Sequence, residues 1–189
     1  MLPVGRALGA IGLTPNALTT IGLGLNVGAA AVIAAGSYAW GAVAFLGASA
    51  FDSLDGAVAR ATGRSSPFGA FFDSLADRYA EAAILLGLAA SFVLRGDLVL
   101  TAATAVALLG SLMVSYARAR AEGLGIDCEI GLLQRPERVL LLTVGLLVPD
   151  LLLAPTVWIL AAVTNVTVVQ RALHVRRELE RRVTETHSV

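Results

Sequence analysis

Lysine is absent from this chain: all 14 basic side chains are arginine, balanced by 14 acids. Histidine occurs twice and cysteine once, and charged residues make up only 15% of the total. Each scarcity excludes something. A single cysteine forbids an internal disulfide, and Cys128 reads as an inert thiol. No basic run of the kind that grips nucleic acid is present. His174 and His187 both lie far in sequence from the acidic residues treated below, which argues against zinc there. So few charges would also leave a soluble domain short of surface. No cleavable leader is expected, because Pro15 and Asn16 interrupt the first apolar stretch, which lacks a basic start.

What is plentiful is apolar. The chain is 57% hydrophobic with a mean hydropathy of +0.77, against about 45–50% apolar in soluble domains. Its 189 residues hold roughly six spans of about 20 residues each. The expectation is an all-α integral membrane protein. One domain over 1–189 would fold as a compact bundle of six transmembrane helices, at about 17–35, 40–62, 68–94, 98–121, 136–148 and 155–175. Turn signals separate them at Gly36-Ser37, Gly63 to Pro67, Arg95-Gly96-Asp97, Gly123 to Gly125 and Pro149-Asp150. Arg6, Arg60, Arg64, Arg118, Arg120, Arg135, Arg138 and the group Arg176, Arg177, Arg181 and Arg182 would share one side, with Arg95 alone opposite. The positive-inside rule then puts both termini and the site described next on the cytoplasmic face of the cell (inner) membrane. The abundant small residues, including 19 glycines, let helices approach closely.

Four carboxylates sit where a bilayer disfavours them. Asp52 and Asp55 fall in the second span, Asp73 and Asp77 in the third. Ionisable groups inside a span cost several kcal/mol and point to function. Each pair is spaced to share a helical face, and the two spans run antiparallel through the Gly63–Pro67 turn. Asp55 and Asp73 then sit at similar depth, with Asp52 and Asp77 about one turn deeper. Arg60 and Arg78 are too few to neutralise four acids. An all-oxygen ligand set suits Mg²⁺ or Mn²⁺.

The surrounding string is Asp52-x-x-Asp55-Gly56-x-x-Ala59-Arg60, eight residues, then Gly69-x-x-x-Asp73-x-x-x-Asp77. It resembles the signature of the CDP-alcohol phosphatidyltransferase family, with matching spacing throughout. The resemblance implies six spans in a compact bundle, and a homodimer. It implies that Asp52, Asp55, Asp73 and Asp77 hold two divalent ions, with Asp77 also taking the proton from the acceptor hydroxyl. It implies a CDP-lipid donor, CDP-diacylglycerol, bound by Thr14, Pro15, Asn16, Ala17, Asp55, Gly56, Ala59, Arg60, Ser66 and Gly69. Read as helix chemistry alone, Thr14-Pro15-Asn16 is an ordinary helix entry.

Ser115-Tyr116-Ala117-Arg118, Arg135-Pro136-Glu137-Arg138 and Gln170-Arg171 should converge at the cytoplasmic end. Arginine grips phosphate through forked donors. These segments resemble the phosphatidylinositol phosphate synthase subgroup, which implies that Ser115, Arg118, Arg138 and Arg171 hold the phosphate of a phosphorylated polyol such as inositol 1-phosphate. In that subgroup the position of Arg118 often carries lysine. Glycerol 3-phosphate stays open as the acceptor, and an archaeal-type lipid stays open as the donor. A cation transporter could also place acids in a span, but Gly56, Arg60 and the arginine cluster favour the transferase.

Overall fold

The computed structural model describes residues 14–62 and 66–187, with side chains over 14–52 and 66–184. Among the described residues it is all-helical. Six α-helices follow in order: α1 (Pro15–Ala34), α2 (Tyr38–Thr62), α3 (Pro67–Leu94), α4 (Leu98–Glu122), α5 (Arg135–Leu147) and α6 (Ala154–His187).

Local chemistry sets the ends. Thr14 caps α1 by accepting from the Ala17 amide at 3.2 Å, ahead of Pro15 in the first turn. Ser66 caps α3 by accepting from the Gly69 amide at 3.0 Å, again with proline following. Asp97 caps α4 through the Leu100 amide at 2.9 Å. Gly36 and Gly96 adopt left-handed φ values of 83° and 73°, which closes the α1–α2 and α3–α4 connections within a few residues.

α1 packs on α2 and α3, α3 on α4, α4 on α6, and α2 on α5. The main apolar core gathers Ile33 of α1, Tyr38 and Phe45 of α2, Ile84, Leu88 and Phe92 of α3, Ala103 and Ala107 of α4, Leu142 and Leu146 of α5, and Val157 and Leu160 of α6. Those residues come from the half of the bundle near the Gly36 and Gly96 turns. The acids occupy the other half of α2 and α3. A dry, well-packed end therefore anchors a polar end.

Among the described residues, three stretches are long and apolar enough to cross a membrane: Pro15–Ala34, Leu98–Glu122 and Pro149–Thr184. α3 has the length, at 28 residues, but carries Asp73, Asp77, Arg78 and Glu81. α5 is short, at 13 residues, or about 20 Å of rise. The expected turn at Pro149-Asp150 takes a different form. Val148 leaves helical geometry (φ −125°, ψ 64°), and Pro149–Leu153 makes a π-helical turn leading into α6. α6 also runs well past the expected end near residue 175, because the Arg-rich segment stays helical to His187. Ion pairs Arg176–Glu180 and Arg181–Glu178, at helical spacing, support that extension.

Candidate active site

α2 and α3 bring Asp52, Asp73 and Asp77 together as the sequence spacing requires. One oxygen from each lies within 4.8 Å of the others. Asp52 is buried and the other two are half-buried. The donor set is carboxylate oxygen throughout, and an octahedral Mg²⁺ at about 2.1 Å from each ligand spans about 4.2 Å at most. Small side-chain adjustments would close these residues on such an ion, so they fit one. Asp55, Gly56, Ala59 and Arg60 fall on the last turns of α2, and their side chains lie outside the described residues, as do Gly63, Arg64 and Ser65 of the turn.

The cation that meets these acids was not foreseen. Arg60 and Arg78 were the sequence candidates. Arg78 stands 3.7 Å from Asp77 Oδ2 and spends its Nη1 on the Ser74 carbonyl and hydroxyl. Arg135, on the first turn of α5, reaches in instead. Its Nη2 lies 3.1 Å from Asp52 Oδ2 and 2.8 Å from Asp77 Oδ1, bridging α2 and α3. The sequence reading placed Arg135 in a segment converging near this face but gave it no contact with the acids.

Gly22 is a second unforeseen contributor. It is buried on α1, facing α2. A Cβ there would sit 2.9 Å from Asp52 Oδ1, so the absent side chain makes room for that carboxylate.

The residues expected at the donor end also gather. A Cβ on Gly69 would meet Ser66 Oγ at 3.1 Å and Asn16 Oδ1 at 3.5 Å. The entry to α1 and the entry to α3 are thus neighbours, with Thr14 and Ser66 engaged as caps. Pro15 and Ala17 lie in the first turn of α1.

The arginine trio is brought together but is not idle. Arg171 reaches the carbonyl of Val114, one turn before Arg118, and Arg138 and Arg171 both bond carbonyls of the α4–α5 connection, so all three cations border that connection. Arg138 is buried and holds Glu81 through two parallel bonds, Nε to Oε1 at 2.7 Å and Nη2 to Oε2 at 2.9 Å, while Nη1 donates to the Leu133 carbonyl at 3.1 Å. Arg171 is equally buried and donates to the carbonyls of Ile130 at 2.8 Å and Val114 at 2.6 Å, tying the α4–α5 connection to α6. Arg118, more exposed, pairs with Glu122 at 2.7 Å and Glu129 at 3.1 Å. Ser115 is half-buried one turn before Arg118. Glu81, four residues past Asp77, was missed in the sequence. Extending the four-residue spacing of Asp73 and Asp77 by one more turn would have found it.

The sequence profile of the CDP-alcohol phosphatidyltransferases matches residues 12–173. The chain belongs to the CDP-alcohol phosphatidyltransferase family. Among its relatives, the archaetidylinositol phosphate synthase of Pyrococcus horikoshii is 35% identical over 178 residues, covering 94% of this chain and 91% of that one. The phosphatidylinositol phosphate synthase of Mycobacteroides abscessus is 37% identical over 182 residues, covering 92% and 82%. The crystal structure of Mycobacterium tuberculosis phosphatidylinositol phosphate synthase with CDP-DAG bound superposes at a TM-score of 0.87 with 34% identity, covering 92% of both chains. The same enzyme in complex with manganese and citrate gives a TM-score of 0.87, covering 92% of this chain and 87% of that one. This member of the family is therefore a CDP-alcohol phosphotransferase similar to the phosphatidylinositol phosphate synthases.

Proposed function

We propose that this enzyme transfers a phosphatidyl group from CDP-diacylglycerol to inositol 1-phosphate, releasing CMP. The observation that carries the proposal is the cluster of Asp52, Asp73 and Asp77, together with three arginines on separate helices that border the α4–α5 connection, one of them bonded to Glu81 a turn past Asp77. The proposal includes one domain over 1–189 working as a homodimer. It also includes six membrane spans, with both termini and the site facing the cytoplasm, in line with the arginine distribution.

Asp52, Asp55, Asp73 and Asp77 would hold two divalent ions, Mg²⁺ or Mn²⁺. When bound, these supply charge neutralisation at the pyrophosphate and polarisation of the attacked phosphorus. The protein's own groups do the rest. Asn16, Ser66 and Gly69, with Thr14, Pro15, Ala17, Gly56, Ala59 and Arg60, line the place for the CDP moiety. Gly69 lets the Ser66 hydroxyl and the Asn16 side chain approach where a Cβ would crowd them. Asp77, at the edge between the acidic cluster and α5, accepts the proton of the acceptor hydroxyl. Arg118, Arg138 and Arg171, with Ser115, orient the acceptor through its phosphate. Glu81 fixes Arg138 in place, and the two backbone bonds of Arg171 fix its guanidinium, so both cations are preorganised rather than recruited.

An arginine cluster favours a phosphorylated acceptor over a free polyol, because only the phosphate brings a charge that the guanidinium N–H groups left over from their protein partners can grip. CMP release from CDP-diacylglycerol in detergent, compared across inositol 1-phosphate, free inositol and glycerol 3-phosphate, tests this. Inositol 1-phosphate should win. A win for free inositol removes the phosphate role of the cluster, whereas a win for glycerol 3-phosphate keeps the cluster and changes the polyol. A CDP-archaeol arm reports the lipid class.

A further inference from the structure

Arg135 and Arg138 stand three residues apart on the first turn of α5, and both face carboxylates of the bundle, yet they are held very differently. Arg138 is 5% exposed at its side chain and satisfies Nε, Nη1 and Nη2. Arg135 is 32% exposed. Both its acid contacts come from Nη2 alone, while its buried Nε meets no acceptor. A buried donor without a partner is costly. The residue before it, Gln134, opens α5 without a side-chain cap. Arg138 is built to stay and Arg135 is built to leave.

The two carboxylates that Arg135 bridges are two of the three that fit a divalent ion. A single nitrogen placed against one oxygen of each acts as a point cation between α2 and α3. Asp52, Asp73 and Asp77 repel one another across less than 5 Å, and the Arg135 guanidinium offsets part of that repulsion. That guanidinium and a metal ion compete for the same oxygens.

We propose that Arg135 is an internal counter-cation, which bridges Asp52 and Asp77 in the metal-free protein and withdraws from them as a divalent ion enters. This rests on the metal-site reading above and adds an exchange step to it. The exchange is purely electrostatic: two ion pairs open as metal–carboxylate bonds form. Withdrawal also frees a guanidinium at the mouth of the site, with its unpartnered Nε released to water or an anionic ligand.

Binding of Mn²⁺ alone to the purified protein in detergent, followed by the electron paramagnetic resonance of free Mn²⁺, tests the exchange without turnover. Replacing Arg135 by Gln should tighten the Mn²⁺ dissociation constant about tenfold or more, the cost of displacing a charge-assisted bond. Arg78→Gln also removes a nearby positive charge, but from a group that lies beside Asp77 rather than between the acids. It should change the constant by about threefold or less. Unchanged or weaker Mn²⁺ binding in Arg135→Gln, or an equal gain in Arg78→Gln, overturns the proposal while leaving the metal site standing. No Mn²⁺ binding to the wild type removes the metal site and this proposal with it. If the Arg135 variant does not fold, the wild type still decides. Phenylglyoxal labelling mapped by mass spectrometry should increase at Arg135 several-fold when Mn²⁺ is added, with Arg138 protected in both states. Labelling of Arg135 that stays constant or falls overturns the exchange.

Discussion

Arg138 and Glu81, 57 residues apart in sequence, form a two-pronged ion pair at 2.7 and 2.9 Å that locks α5 to α3. Burial makes the pair unforgiving, because the loss of one partner strands the other. Glu81→Ala should destabilise the protein by about 3–5 kcal/mol, read as a lowered unfolding midpoint in detergent. Replacing both residues by Met should cost less than either single change. A harmless Glu81→Ala would show that Arg138 finds another partner.

Arg138 also carries the acceptor prediction. Arg138→Lys keeps the charge but loses the fork that spans Glu81 and reaches Leu133. Arg138→Ala should raise the acceptor KM and lower kcat/KM about 10- to 150-fold, the range of a charge-assisted bond. The KM for CDP-diacylglycerol should hardly change. Equal rises in both KM values would instead mean a general collapse of the site.

Divalent metal should be required. Excess chelator should abolish CMP release, and Mn²⁺ or Mg²⁺ should each restore it, because Asp52, Asp73 and Asp77 offer only carboxylate oxygens. Full activity in chelator would contradict the ligand set.

Asp77 meets Arg135 of α5 at 2.8 Å. Asp77→Asn preserves shape while removing charge and basicity, and it also takes one partner from Arg135. Turnover should drop at least about 100-fold, the low end for general base catalysis, with donor binding less affected. A variant with near-normal turnover would assign the proton to another group.

Much of this site was legible before any coordinates. Asp52, Asp73 and Asp77 were readable because helical spacing and one tight turn determine which faces meet, and depth can be counted from the turn. The same logic foresaw the arginine convergence, since charge asymmetry sorts loops to one side. Arg135, Gly22 and the bonds of Arg171 were not legible. Arg135 meets Asp52 across 83 residues, through a helix whose rotation the local pattern does not determine. Gly22 matters only because α1 lies against α2 at that point, and a glycine in an apolar span carries no mark of its neighbour. Arg171 read as a free phosphate ligand. The carbonyls of Val114 and Ile130, which occupy two of its donors, exist as acceptors only because α4 is ending there and the following connection is irregular.

Gly22 gives the sharpest separation of stability from activity. Glycine in a helix interior is worse than alanine by about 0.5–1 kcal/mol, so Gly22→Ala should leave the unfolding midpoint unchanged or slightly raised. The new methyl would nevertheless sit 2.9 Å from Asp52 Oδ1, closer than carbon and oxygen tolerate, and the carboxylate must shift by a few tenths of an ångström or more. Asp52 cannot shift freely, because its oxygen must stay within reach of those of Asp73 and Asp77 to share an ion with them. Misplacement of a reacting group by about 1 Å can cost about 100-fold, so a smaller shift should lower turnover about 10- to 100-fold. The Mn²⁺ concentration for half-maximal activity should rise. Gly24, two residues on in the same helix, faces open space with nothing within 4 Å. Gly24→Ala should therefore gain the same helix stability with unchanged kinetics, which isolates the contact with Asp52 from any effect on α1. Wild-type turnover and metal dependence in Gly22→Ala would mean that Asp52 relaxes without consequence, and that its placement is not set from α1.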